Sequence, residues 1–449
     1  MVAHESLALL TDLYQLTMAQ AYFNDHKMER ATFSLFVRSY PLNRGFLISS
    51  GLHDVLKFLE DFALDGAALD YLSNQNLFTN DFLRFLEDLR FTGDVWALPE
   101  GQLFFKDEPI LEVTAPIIEA QLVETFIINQ INLQSLIATK AARCVHAAGS
   151  RAVVDFALRR THGIDAGMKV ARSSYLAGFA GTSNVLAGKK YGIPTVGTMA
   201  HSFVTSFGDE IDAFRSYAAS FSENSILLID TYNTIAGARK AVEVAKEMAA
   251  RGQHLQGVRI DSGNLAGLAI EVRKIFDDAG FFDVKIIGTG GLDEYDLTTF
   301  SEAQIPFDSY GVGTKMGTSS DAPWSDMAYK LVEYGGKPVL KRSPGKSSWP
   351  GAKQLFRQRN RQGQLKMDIV GLRDEHIDGA EALLRKVMEG GKIVVTLPTL
   401  AQSRSFVAKE LAQLADSTKA IRNPVHYSVE FSPKLVWLRE ETERKLIKP

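Results

Sequence analysis

Two apolar runs end in small residues: "VKIIGTGG" stops at Gly290 and Gly291, and "SYGVGT" stops at Gly313 and Thr314. With no side chain in the way, backbone N–H groups at such ends can close on an anion and cradle a phosphate. Glycine also marks ordinary turns, so each run has two readings. Two of them in successive units of one repeat favour the phosphate. Asp230 in "LLIDTYNT" and Asp261 in "VRIDSGN" follow apolar runs in the same way. Carboxylates so placed hold Mg²⁺ beside phosphate oxygens, bond a sugar hydroxyl, or cap the next helix. Arg38 in "FVRSYP", Arg159 and Arg160 in "FALRRTHG", and Arg259 in "VRID" stand beside hydrophobic runs. A guanidinium fork matches carboxylate or phosphate, although each arginine taken singly also reads as a surface or ion-paired residue. Tyr14 and Phe156 are aromatics in apolar surroundings, where core packing is the ordinary role. His201 sits beside Ser202 in "GTMAHSFVTSFG", among small and hydroxylated neighbours where packing does not call for an imidazole.

The elements that position these residues change along the chain. Residues 1–115 mix helical patterns ("LTDLYQLTMAQAYF", "HDVLKFLEDFAL", "NDFLRFLEDLRF") with strand-like runs ("ATFSLFVRSY", "DVWALPEGQLFF", "PILEVTAP"), an α+β segment. Residues 116–148 carry one long helical pattern, opened by Pro116 and closed by Gly149. From residue 151 short β-rich runs ("AVVDFAL", "PTVGTM", "SILLID", "GVRID", "VKIIGTGG", "SYGVGT") alternate with helical ones. A spacing of roughly 25–30 residues per unit suits βα units and a parallel sheet. The polar and glycine-rich residues fall at strand ends, where chemistry gathers in α/β barrels and doubly wound sheets. No dinucleotide fingerprint is present, which favours a barrel over 116–325. Beyond it, "MAYKLVEYGGKPVLKRS" reads as a hairpin, and residues 326–449 are expected to pack on the first segment.

Bulk composition narrows the function classes. With 449 residues the chain can bury a large core. A formal net charge of -3 sets up no basic field for nucleic acid or anionic lipid. One cysteine, Cys144, excludes an intramolecular disulfide and a multi-cysteine zinc site. No window holds eighteen apolar residues, and "MVAHESLALLTDLYQ" lacks the pattern of a cleaved leader, so a cytoplasmic protein is expected.

Taken together, the runs closely resemble nicotinate phosphoribosyltransferase of the type II phosphoribosyltransferase family. The matching pieces are "TDLYQLTMAQAYF", "FSLFVRSYP", "EGQLFF", "DFALRRTHGIDAG", "GTSNVLAG", "GTMAHSFVTSF", "LLIDTYNT", "GVRIDSGNL", "GTGGLDE", "YGVGT" and "PGAKQLFR", in family order. The resemblance implies an irregular, TIM-like α/β barrel with an α+β domain built from both chain ends. It also implies a homodimer with shared sites. The implied reaction joins nicotinate to 5-phosphoribosyl 1-diphosphate, with Mg²⁺ and with ATP as co-substrate, giving nicotinate mononucleotide, diphosphate, ADP and phosphate. By the same resemblance Phe156 and Tyr14 sandwich the pyridine ring, with Tyr14 from the partner subunit. Arg259 meets the carboxylate, and Arg159 lies near the base or the ribose phosphate. Gly290, Gly291, Gly313 and Thr314 cradle the 5-phosphate. Asp261 binds ribose hydroxyls, Asp230 lies near Mg-diphosphate, and Arg38 steadies diphosphate or ATP phosphates. His201 takes a phosphoryl group from ATP as a phosphohistidine, and Ser202 contacts nicotinate or phosphate. The nicotinamide-using relative carries an aspartate in the segment matching "GTSNVLAG"; here Ser183 and Asn184 stand there, and neutral residues do not repel an acid substrate. Nicotinamide transfer is the alternative within the same chemistry, and a non-catalytic nucleotide sensor on the same barrel is the alternative outside it.

Overall fold

The computed structural model describes residues 7–342 and 348–447. The first six residues of the N-terminal stretch and Ser343, which ends the hairpin run, lie outside them. The chain divides into two compact units, one of Met1–Leu136 with Trp324–Pro449 and one of Ile137–Pro323. Among the described residues no helix is long and apolar enough to cross a membrane.

In the first unit Arg30–Val37 lies inside a seven-stranded sheet, between Leu111–Pro116 and Met327–Tyr334, antiparallel to both. Its residues from Ala31 onward are buried, as expected of "ATFSLFV", which is rich in aromatic and β-branched side chains. Met327–Tyr334 and Lys337–Pro338 form the expected hairpin through Gly335 and Gly336. The expected single helix after Pro116 is two helices, Ile117–Leu122 and Glu124–Ala148, interrupted at Val123. Two side chains explain the break. The Gln15 amide donates to the Gln121 carbonyl (2.9 Å) and the Thr11 hydroxyl to that of Leu122 (3.2 Å). Carbonyls engaged from the side are poor acceptors for the next helical turn. Ile117, Ile118, Phe126, Ile127 and Ile131 belong to the core of this first unit. That is why the compact border falls at 136/137, while sequence pattern alone drew it at 115/116.

The second unit is built on six parallel strands: β1 Ala152–Asp155, β2 Gly181–Thr182, β3 Ile226–Leu228, β4 Gly257–Ile260, β5 Lys285–Gly288 and β6 Ser309–Val312. Their spatial order is β2-β1-β6-β5-β4-β3. Read as a ring this is the order of the sequence, as in a barrel. The ring is not closed by hydrogen bonds: β3 is one edge, and the other carries only a bridge from Thr182 to Thr195. The fold is therefore mixed α/β with a parallel half-barrel, coarser than the TIM-like barrel expected. The expected strand "PTVGTM" is reduced to that bridge. Pro194 has no N–H to extend the ladder, and the chain then leaves the sheet for the short helix His201–Thr205. Conversely, β2 comes from "GTSNVLAG", two residues too short to show a period.

Candidate active site

Most of the sequence-singled residues of the second unit lie at or just past the C-terminal end of a strand. A cavity of about 630 Å³ opens there. Phe156 and Arg159 follow β1, Ser183 follows β2, Asp261 follows β4, Gly290 and Gly291 follow β5, and Gly313 and Thr314 follow β6. His201 and Ser202 border the same space from their short helix, and Arg259 enters it from β4 itself. Arg160, Thr289 and Gly311 join the lining as well. Three arginines, Arg159, Arg160 and Arg259, and one acidic residue, Asp261, thus line the cavity, a balance that suits an anionic ligand.

Arg259 is held in place by hydrogen bonds within the protein. One terminal nitrogen donates to Asp261 (2.9 Å) and to Thr289 (3.1 Å), and the other to the Met199 carbonyl (3.0 Å). Its Nε is buried with no partner among the described residues. Burial draws the guanidinium below its ordinary value, against the pull of Asp261 and Asp230, and it stays cationic. Thr289 is the second tie, since its hydroxyl also bonds Asp261. Asp261 therefore spends Oδ1 on Arg259 and Thr289, while Oδ2 faces His201 Nε2 at 3.8 Å. The other imidazole nitrogen, Nδ1, shares a hydrogen bond of 3.1 Å with the Thr231 hydroxyl. Nε2 is the ring nitrogen left available.

Two glycines are required by shape. Gly290 has φ +99°, and a Cβ there would lie 1.9 Å from the Asp261 carbonyl oxygen. At Gly311 a Cβ would fall 2.5 Å from the Phe156 ring, so the missing side chain is what seats the ring. Asp155, at the end of β1, fixes the neighbouring wall. Its carboxylate accepts from the Ala157 N–H (2.8 Å) and the Thr182 hydroxyl (2.7 Å), and burial raises its pKa.

Some expected residues are placed elsewhere. Asn184 is buried at the N-cap of helix Val185–Tyr191, accepting from the Ala187 N–H, whereas Ser183 borders the cavity. Of the two residues between which sequence left the base-selectivity position open, only Ser183 lines the cavity. Asp230 is buried behind Asp261, with Oδ2 accepting from the Asp261 N–H (3.0 Å) and the Ser262 hydroxyl (2.6 Å). Its Oδ1 has no partner among the described residues. Those residues hold no group of three or more His, Cys, Asp or Glu arranged for a metal ion. Tyr14 and Arg38 belong to the first unit. Tyr14 is 51% exposed on helix Leu13–Asn24, and Arg38 pairs with Asp326 at 3.3 Å. Thr231, Thr289 and Asp155 carry no mark of a site in sequence: the threonines are isolated, and Asp155 sits inside the apolar run "AVVDFAL" rather than at its end, unlike Asp230 and Asp261.

The nicotinate phosphoribosyltransferase (NAPRTase) N-terminal domain model matches residues 9–132, the NAPRTase family model matches 151–360, and the C-terminal domain model matches 377–439. A Mycobacterium tuberculosis nicotinate phosphoribosyltransferase (pncB2) is 45% identical over 430 residues, covering 96% of this chain and 92% of the relative. The Bacillus subtilis nicotinate phosphoribosyltransferase is 37% identical, covering 95% and 93%. The crystal structure of human nicotinic acid phosphoribosyltransferase superposes with a TM-score of 0.87 at 30% identity, covering 96% of this chain and 99% of that one.

Proposed function

This chain belongs to the nicotinate phosphoribosyltransferase family, and from that footing we propose that it transfers phosphoribosyl from 5-phosphoribosyl 1-diphosphate to nicotinate, a step of NAD salvage. The observation that carries the reading is the convergence on one cavity of Phe156, the Arg259–Asp261–Thr289 group, both glycine turns and His201.

The pyridine ring lies on Phe156, with its carboxylate toward the unused donors of Arg259. Ser183, being neutral, admits that carboxylate. The turns at Gly290–Gly291 and Gly313–Thr314 take the 5-phosphate, Arg159 lies near the base or that phosphate, and Asp261 takes ribose hydroxyls. So held, the ring nitrogen forms the bond to the anomeric carbon as the carbon–oxygen bond to diphosphate breaks, and charge leaves on the diphosphate. Mg²⁺ bound with the diphosphate would neutralise part of that charge, and Asp230, through its unpartnered Oδ1, is the residue suited to hold it. Arg38, which pairs with Asp326, is assigned the diphosphate or ATP phosphates on the family pattern alone.

ATP coupling runs through His201. With Nδ1–H donating to Thr231, the Nε2 lone pair attacks the γ-phosphorus of ATP, the bond to the β-phosphate oxygen breaks, and ADP leaves. Water later cleaves the N–P bond to release phosphate. Ser202, next in the chain, contacts nicotinate or phosphate. The site is shared in a homodimer: the exposed Leu10, Leu13, Tyr14 and Met18 form an apolar face, from which Tyr14 closes over the partner's bound base. Purified protein supplied with nicotinate, 5-phosphoribosyl 1-diphosphate, Mg²⁺ and γ-labelled ATP should form nicotinate mononucleotide and a base-stable, acid-labile label on the protein. Absence of the nucleotide would refute the transfer, and absence of the label would refute the phosphohistidine.

A further inference from the structure

The two glycine turns lie past the ends of β5 and β6, and the ladder between these strands is short. It pairs Ile287 with Ser309 and Gly288 with Tyr310. Past those pairs a side chain spans the two turns. The Lys315 ammonium lies 3.1 Å from Asp293 and 3.1 Å from Asp296. Lys315 follows Thr314 directly, and Asp293 comes two residues after Gly291, so each end of the bridge is anchored in one turn.

The acidic end is rigid. Asp293 caps helix Glu294–Glu302, accepting from the N–H groups of Tyr295 (3.0 Å) and Asp296 (3.3 Å), while Asp296 accepts from the Asp293 N–H (3.0 Å). Burial works to raise the Asp293 carboxyl, and the ammonium outweighs it, leaving the carboxyl below its ordinary value. Burial likewise works to lower Lys315, and the two acids outweigh it. Both shifts describe the same charged bridge.

We propose that Lys315 is a positioning residue whose bridge to Asp293 and Asp296 sets the gap between the two glycine turns, and so the fit of the substrate's 5-phosphate. This rests on the phosphoribosyl-transfer reading. A gap fixed only by the two ladder pairs would let the amides drift from the phosphate, and sub-ångström errors of that kind weaken binding steeply.

The test measures KM and kcat for Lys315→Met, Lys315→Arg, Asp293→Asn and Asp296→Asn. Asparagine retains the capping function while removing the charge, which guards against a folding defect. Lys315→Met should raise the KM for 5-phosphoribosyl 1-diphosphate about tenfold with little change in kcat, and Lys315→Arg should recover most of the loss. Each asparagine variant should raise that KM in the same direction. An unchanged KM in Lys315→Met would overturn the proposal. So would a KM that falls or stays put in both asparagine variants while Lys315→Met raises it, because the ammonium would then be meeting phosphate directly. Ribose 5-phosphate affinity, measured by calorimetry on the same variants, separates the two questions. If the wild-type chain makes no nucleotide, the transfer reading fails, and the bridge still stands or falls on that affinity.

Discussion

Replacing Gly311 by alanine tests whether Phe156 is the platform for the base. The added Cβ would lie 2.5 Å from Phe156 Cε2, 2.6 Å from Cδ2 and 2.7 Å from Thr289 Cγ2. The backbone at Gly311 lies in a strand, so an alanine finds no strain there and space alone decides. Ordinary carbon contacts begin at about 3.5 Å, so the ring must retreat about 1 Å. Its own N–H is tied to the Val312 carbonyl at 2.8 Å, which leaves the side chain to move. Losing an aligned aromatic contact is worth about 0.5–1.5 kcal/mol. At about 1.4 kcal/mol per tenfold, the KM for nicotinate should rise about 2- to 12-fold. Steady-state kinetics with nicotinate varied at saturating 5-phosphoribosyl 1-diphosphate read this directly, with a melting curve to confirm the fold. In a Phe156→Ala background only the Thr289 contact remains to be relieved, so the same substitution should add less. An unchanged nicotinate KM in the folded single variant would refute the reasoning. An equal rise in both backgrounds would do so as well, since it would place the effect outside the ring.

Three further outcomes follow from the site and its surroundings. His201→Ala should abolish ATP hydrolysis and its coupling but keep slow transfer, read as ADP and nicotinate mononucleotide formed in parallel; coupling that persists would exclude His201 as the phosphoryl acceptor. Tyr14→Ala and Phe156→Ala should each be impaired, and an equal mixture after subunit exchange should recover about a quarter of wild-type activity, because half the dimers are mixed and one of their two sites is intact. No recovery despite proven exchange would place both residues in one subunit's site. The Asp155 carboxyl is raised by burial, so the folded chain keeps its proton where the unfolded chain has released it. Its contribution to stability therefore falls as pH rises from the ordinary aspartate range through the raised value, and Asp155→Asn should flatten that part of the curve in denaturant titrations across pH.

Much of this was legible in the sequence because the strands are short apolar runs with abrupt polar ends. "GVRID" and "SYGVGT" announce both the strand and the residues delivered past it. The unclosed ring was not legible, since the missing hydrogen bonding between β2 and β3 leaves no mark on either. The interruption at Val123 was hidden for a similar reason: its cause lies in Thr11 and Gln15, more than a hundred residues away in sequence. Ser183 and Asn184 look alike in one dimension and separate only when one of them caps a helix. Arg259 was visible as a residue, but its ties to Thr289 and the Met199 carbonyl are products of the fold.

The central claim is tested most directly by turnover of the two competing bases. Purified protein with 5-phosphoribosyl 1-diphosphate, ATP and Mg²⁺ should be given nicotinate and nicotinamide in separate reactions, with the mononucleotides separated and quantified. A kcat/KM strongly in favour of nicotinate is the predicted result. Preference for nicotinamide, or no mononucleotide from either base, would contradict it.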